Sequence, residues 1–128
     1  MRRVGIDYIR DFPEYGPEPE PERPKRFFVL GRTADIPAGK IRRYVVSGLP
    51  VAVFNVEGRL VACRDRCPHM GADLSMGRLD GDFVICSWHG WTFNLTDGRC
   101  RFKDWACLEL YPVRLRDGFF EVELPVGA

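Results

Sequence analysis

From residue 26 to residue 124 apolar positions come in short runs, each cut by glycine, proline or an aspartate-glycine pair. The runs are rich in Val, Ile, Phe and Tyr, which suits pleated, half-buried strands. They predict strands over residues 27–30, 41–46, 51–56 and 60–63, then 83–85, 92–94, 108–113 and 119–123. Breaks fall at Gly31, at Asp35-Ile36-Pro37-Ala38-Gly39, at Ser47-Gly48-Leu49-Pro50 and at Glu57-Gly58-Arg59. In the second half they are Asp80-Gly81, Asp97-Gly98 and Asp117-Gly118, and Asp-Gly is a strong hairpin signal. No stretch holds a helical period beyond one possible turn at 72–75, so the pattern predicts an all-β antiparallel sandwich or barrel.

The first 24 residues read differently. Residues 1–12 hold a few apolar positions, too few for a strand or helix. Residues 13–24 carry five of the ten prolines, interleaved with Glu14, Glu18, Glu20 and Glu22. That mixture favours extended, solvated backbone. The expected organisation is an N-terminal arm and Pro/Glu-rich tether over 1–24, either without a role or binding a partner, and one folded domain over 25–128.

Composition narrows the function classes. With 128 residues, 45% of them hydrophobic, the chain has material for one core and none for a second catalytic domain. Its formal charge is +1, which gives no electrostatic reason to expect nucleic acid or a membrane surface. No apolar run nears the ~20 residues that span a bilayer. Arg2-Arg3 is not followed by the apolar segment of an export signal.

The chemistry is concentrated in two places. The chain has two histidines, and each sits close to a cysteine: Cys67-Pro68-His69 and, after sixteen intervening residues, Cys86-Ser87-Trp88-His89. Glycines follow closely, Gly71 and Gly90. Two similar loops, each with one thiolate and one imidazole, suit a single shared cofactor. Structural zinc and an iron-sulfur cluster both use such donors. Cys63, Cys100 and Cys107 remain; an odd total of five argues against a disulfide framework, and the three read as small buried hydrophobes.

Around these four residues the sequence runs Cys-Pro-His-x-Gly-Ala-x-Leu from Cys67 to Leu74, Cys-x-Trp-His-Gly-Trp-x-Phe from Cys86 to Phe93, and Tyr-Pro-Val-Arg at Tyr111 to Arg114. As a set these motifs resemble the Rieske family, over roughly residues 25–124. The resemblance implies a Rieske iron-sulfur fold with a small cluster-binding subdomain formed by two loops, 63–75 and 86–94. It implies one 2Fe-2S cluster, with Cys67 and Cys86 on one iron and His69 and His89 on the other. Neutral imidazoles in place of two thiolates raise the potential above that of plant-type ferredoxins. The histidine iron lies at the outer end, so redox partners, a reductase and an oxygenase or a larger redox complex, are expected to dock near His69 and His89.

Departures from the family pattern are informative. The quinol-oxidising branch carries an extra disulfide across its two loops; the matching positions here are Ala72 and Trp88, which suits a reducing, cytoplasmic compartment and the oxygenase-type branch. The hydroxyl donors that follow the second histidine in that branch are replaced by Trp91 and Phe93, implying a potential low in the Rieske range. Trp88, Trp91 and Met70 give an apolar rim, for shielding or for docking. Relatives usually close a third loop with proline, whereas residues 101–107 have none; Trp105 is read either as a lid or as a core tryptophan.

Three functions compete. Structural zinc remains a remote alternative. A terminal oxygenase of this family needs a mononuclear iron held by two further histidines, and no histidine is left. The expectation is therefore an electron-transfer ferredoxin between a reductase and an oxygenase-type acceptor, or else the Rieske subunit of a multi-subunit oxygenase or oxidoreductase. No catalytic residue is assigned.

Overall fold

The computed structural model describes residues 24–126 apart from His69, Met70 and His89. The predicted arm thus lies almost wholly outside the described residues. The described residues form ten strands, in order β1 Lys25–Arg32, β2 Ile41–Val46, β3 Leu49–Val56, β4 Arg59–Arg64, β5 Arg78–Asp80, β6 Phe83–Ile85, β7 Thr92–Asn94, β8 Leu110–Tyr111, β9 Val113–Arg116 and β10 Phe119–Pro125. Two single 3-10 turns, Thr33–Asp35 and Leu74–Met76, interrupt them. None of the described helical segments is long and apolar enough to cross a membrane.

The strands form three antiparallel sheets, ordered β9-β10-β1, β2-β3-β4-β8 and β5-β6-β7. The four-stranded sheet is the middle layer. Along β3, Val51 and Val53 pack with Phe120, Val122 and Leu124 on one side. Ala52, Phe54 and Val56 pack on the other side with Cys67, Leu74, Val84, Cys86 and Phe93. Side chains alternate across a strand, so a run apolar at nearly every position is what a strand covered on both faces requires. The second of these cores is the one that carries the two cysteines of the motif loops.

Most predicted strands are present, and four details differ. Residues 108–113 are not one strand: β8 ends at Tyr111 and β9 begins at Val113 in a different sheet, because Pro112 has no N–H for the ladder. The break at 47–50 is only the Ser47-Gly48 turn, with φ of 50° and 82°; Pro50 lies within β3, paired with Val45. Strand β5 has no apolar run to announce it and exists by pairing with β6. The helical turn expected at 72–75 is observed two residues later, at Leu74–Met76.

Candidate metal centre

The two motif loops are built alike. The Cys67 N–H donates to the carbonyl of Ala72 at 2.7 Å, and the Cys86 N–H donates to the carbonyl of Trp91 at 2.7 Å, five residues on in each case. Four residues after each cysteine stands a glycine with positive φ, Gly71 at 76° and Gly90 at 69°, a conformation that disfavours any side chain. Both cysteines point inward: Cys67 is 1% exposed and Cys86 2%, and they belong to one buried cluster. His69 and His89 lie outside the described residues. Among the described residues no three metal-ligating side chains gather; Cys67 and Cys86 are buried in the same core. A pair of buried thiols on two equivalent loops fits the sulfur half of a two-cysteine, two-histidine set.

The loops are held in different ways. The second is the tip of a hairpin, with Ile85 paired to Thr92 just outside it. Among the described residues the first has no such pair. Its support is Asp65, whose side chain is fully buried. Asp65 Oδ1 accepts from the Ser75 N–H at 2.7 Å, and Oδ2 accepts from Ser75 Oγ at 2.6 Å and from Arg43 Nη1 at 2.8 Å. Arg43, on β2, also meets Asp73 Oδ2 at 3.1 Å. Nothing in the hydrophobic pattern announces this network; a charged residue two positions before the first ligand candidate was the only available signal.

The rim is partly aromatic. Trp88 is 51% exposed and Trp105 67%. Trp105 is therefore not a core tryptophan: it stands edge-on to Trp91, ring centroids 5.5 Å apart. The third loop closes without proline, through the Cys100 N–H on the Ala106 carbonyl at 3.1 Å. Phe93 is wholly buried. A recess of about 350 Å³ opens between Met76, Arg78, Ser87 and Gly90. A larger cavity of about 770 Å³, between Lys25, Val46, Arg64 and Tyr111, shares no residue with 67–72 or 86–91 and has no bearing on the centre.

The remaining cysteines divide. Cys63 and Cys100 are buried as expected, but Cys107 is exposed, because it lies on the outer side of an isolated bridge to Arg99 while its neighbours Ala106 and Leu108 turn inward. Burial, and then the carboxylates of Asp65 and Glu109, push the Cys63 thiol well above its ordinary value. It stays protonated, unlike a metal-binding thiolate. No disulfide joins the described cysteines.

The Rieske [2Fe-2S] domain matches residues 26–112. The chain belongs to the Rieske family. It is 37% identical over 95 residues to ferredoxin CarAc of Metapseudomonas resinovorans, covering 73% of this chain and 81% of that one. Among solved structures, a chain in the complex of reduced oxygenase and oxidized ferredoxin in carbazole 1,9a-dioxygenase is 33% identical, with a TM-score of 0.69 over 75% of this chain and 91% of that chain. The Sphingomonas yanoikuyae B1 ferredoxin is 27% identical, with a TM-score of 0.71 over 78% of this chain and all of that one. Some relatives are much longer: the chain spans 18% of oxidoreductase NdmD of Pseudomonas putida. As a Rieske protein it carries one 2Fe-2S cluster, which sets zinc aside.

Proposed function

We propose that this chain is a ferredoxin passing single electrons from a reductase to an oxygenase-type acceptor, and that Cys67, His69, Cys86 and His89 hold its cluster. The observation that carries the reading is the pair of equivalent loops, each closed from the cysteine N–H to the carbonyl five residues on, that buries Cys67 and Cys86 in one core. The likeness to ferredoxin CarAc, spanning most of both chains, supports the ferredoxin role. Bound in the loops, the cluster supplies a one-electron ferric/ferrous couple. The chain supplies two thiolates, from the buried Cys67 and Cys86, and the two imidazoles of His69 and His89. Trp88 and Trp105 give acceptors an exposed apolar surface. Neither Trp91 nor Phe93 has a hydroxyl to stabilise added electron density, which puts the midpoint toward the low end of the Rieske span, about −150 mV. Residues 25–128 form the working domain, tethered by 1–24. Thiols without a disulfide suit a reducing, cytoplasmic setting.

Serine substitutions test the ligand set. Cys67→Ser and Cys86→Ser abolish the cluster, because an alcohol does not replace a thiolate on ferric iron, whereas Cys63→Ser, Cys100→Ser and Cys107→Ser retain it. Iron content and visible absorption report each result. Loss in Cys63→Ser with retention in Cys67→Ser overturns the assignment.

A further inference from the structure

We propose that Asp65, with Arg43 and Ser75, is the positioning clamp of the first cluster loop, replacing the strand pairing that holds the second. The inference rests on the ligand reading above. It starts from an asymmetry between two loops that are otherwise alike. Cys86 and Trp91 are gripped from outside by the paired residues Ile85 and Thr92 of a hairpin. After Ala72 the first loop runs instead into the 3-10 turn Leu74–Met76, so no ladder joins its entry to its exit. Asp65 and Ser75 stand on either side of that gap, ten positions apart, and two hydrogen bonds of 2.7 and 2.6 Å tie them. The segment between them contains Cys67 and His69.

A wholly buried carboxylate is costly unless its charge is balanced and its oxygens are satisfied. Here Ser75 gives two donors and Arg43 gives the balancing charge. Arg43 makes the clamp double, because it reaches Asp73 at 3.1 Å as well. It therefore holds the loop entry at Asp65 and the loop exit at Asp73 from one point on β2. The Asp65 N–H is in turn fixed on the Pro50 carbonyl of β3 at 3.0 Å. The clamp thus fixes the first loop, and its sulfur, relative to the central sheet. An apolar contact would bury the loop without fixing its register; directed, charge-assisted bonds fix it.

The test compares variants of the full-length holoprotein by the rate of cluster loss to an iron chelator, the EPR spectrum of the reduced protein, and the melting temperature. Asp65→Asn and Arg43→Met are expected to lose the cluster faster, by about 10- to 100-fold, the range for removal of groups that orient metal ligands, with an altered EPR line shape. Arg43→Lys keeps the balancing charge and restores most of the wild-type rate. Arg114→Met is the control: it breaks an equally short pair, Arg114 Nε to the buried Glu121 at 2.6 Å, in the sheet remote from the loops. It lowers the melting temperature and leaves chelation rate and EPR spectrum unchanged. If Asp65→Asn and Arg43→Met lose their clusters at the control's rate with a wild-type spectrum, the clamp is refuted. Should Asp65→Asn fail to fold, Ser75→Ala decides, since it deletes one bond and keeps the backbone donor; a wild-type rate there refutes the clamp equally. A wild-type protein lacking a Rieske-type EPR signal sinks the ligand reading, whereas a normal wild-type signal with indifferent variants sinks the clamp alone.

Discussion

Replacing Gly77 by alanine puts a methyl group where the chain leaving the first loop crosses the chain entering the second. The new Cβ falls inside van der Waals contact of the Ile85 carbonyl oxygen and stands 3.2 Å from that of Leu74. Both obstacles are main chain, so no rotamer change relieves them. Ile85 is locked on both sides, paired with Arg78 on β5 and Thr92 on β7, and the next residue is Cys86. Overpacking of a well-packed interior costs about 1–3 kcal/mol, and a clash with locked backbone puts this variant at the upper end, about 3 kcal/mol. For a domain of this size that lowers the melting temperature by roughly 15 °C. Gly81→Ala is the comparison: its methyl meets nothing within 4 Å, and only its φ of 59° opposes a side chain, a penalty of about 1 kcal/mol. Thermal unfolding at one scan rate, followed by circular dichroism and by cluster absorbance, measures both. The Gly77 variant is expected to lose cluster absorbance well before the Gly81 variant. Melting of the two within a few degrees of each other would refute the reasoning.

Three further outcomes follow from the same structure. Iodoacetamide is expected to label Cys107 alone in the native holoprotein, since Cys63 and Cys100 are buried; peptide mass spectrometry reads the site, and rapid labelling of Cys63 contradicts the packing. Alkaline pH is expected to erode stability. Burial first, and then Asp65 and Glu109, raise the Cys63 thiol, and burial and Glu109 push Tyr111 up to about 12. The native chain therefore keeps protons that the unfolded chain releases at ordinary values. That stabilisation is complete below about pH 8.5 and declines above it, at up to about 1.4 kcal/mol per pH unit for each such group. Denaturant titrations from pH 8 to 11 are expected to show a shallower decline in Cys63→Ala, and an unchanged slope contradicts the assignment. Deleting residues 1–24 is expected to leave a folded, coloured protein, because β1 begins at Lys25; aggregation or loss of iron places the boundary elsewhere.

The sandwich was legible because its strands have a strong apolar pattern and its turns are cut by glycine. Even the unbroken apolar run of β3 carries its meaning, since both faces of that strand are covered. What escaped depends on partners distant in sequence. Strand β5, Arg78–Asp80, is ordinary in composition and is a strand only because β6 lies beside it. The exposure of Cys107 and of Trp105 depends on how residues 100–107 fold back on Thr92 and Phe93, which no local pattern encodes. At the centre, the cysteine and histidine spacings identified the loops directly. The clamp of Asp65, Arg43 and Ser75 did not show, because its members are spread over 33 sequence positions and are polar residues of a kind that usually faces solvent.

The ligand set is tested most directly by pulsed EPR of the reduced protein, read for nitrogen coupling. The chain has only two histidines, His69 and His89, so a Rieske-type centre predicts two strongly coupled imidazole nitrogens. Both couplings are expected to vanish with the cluster in Cys67→Ser, and one to be lost in a variant of either histidine that retains iron. A reduced centre with no coupled nitrogen, or with one in the unaltered protein, would contradict the assignment of His69 and His89.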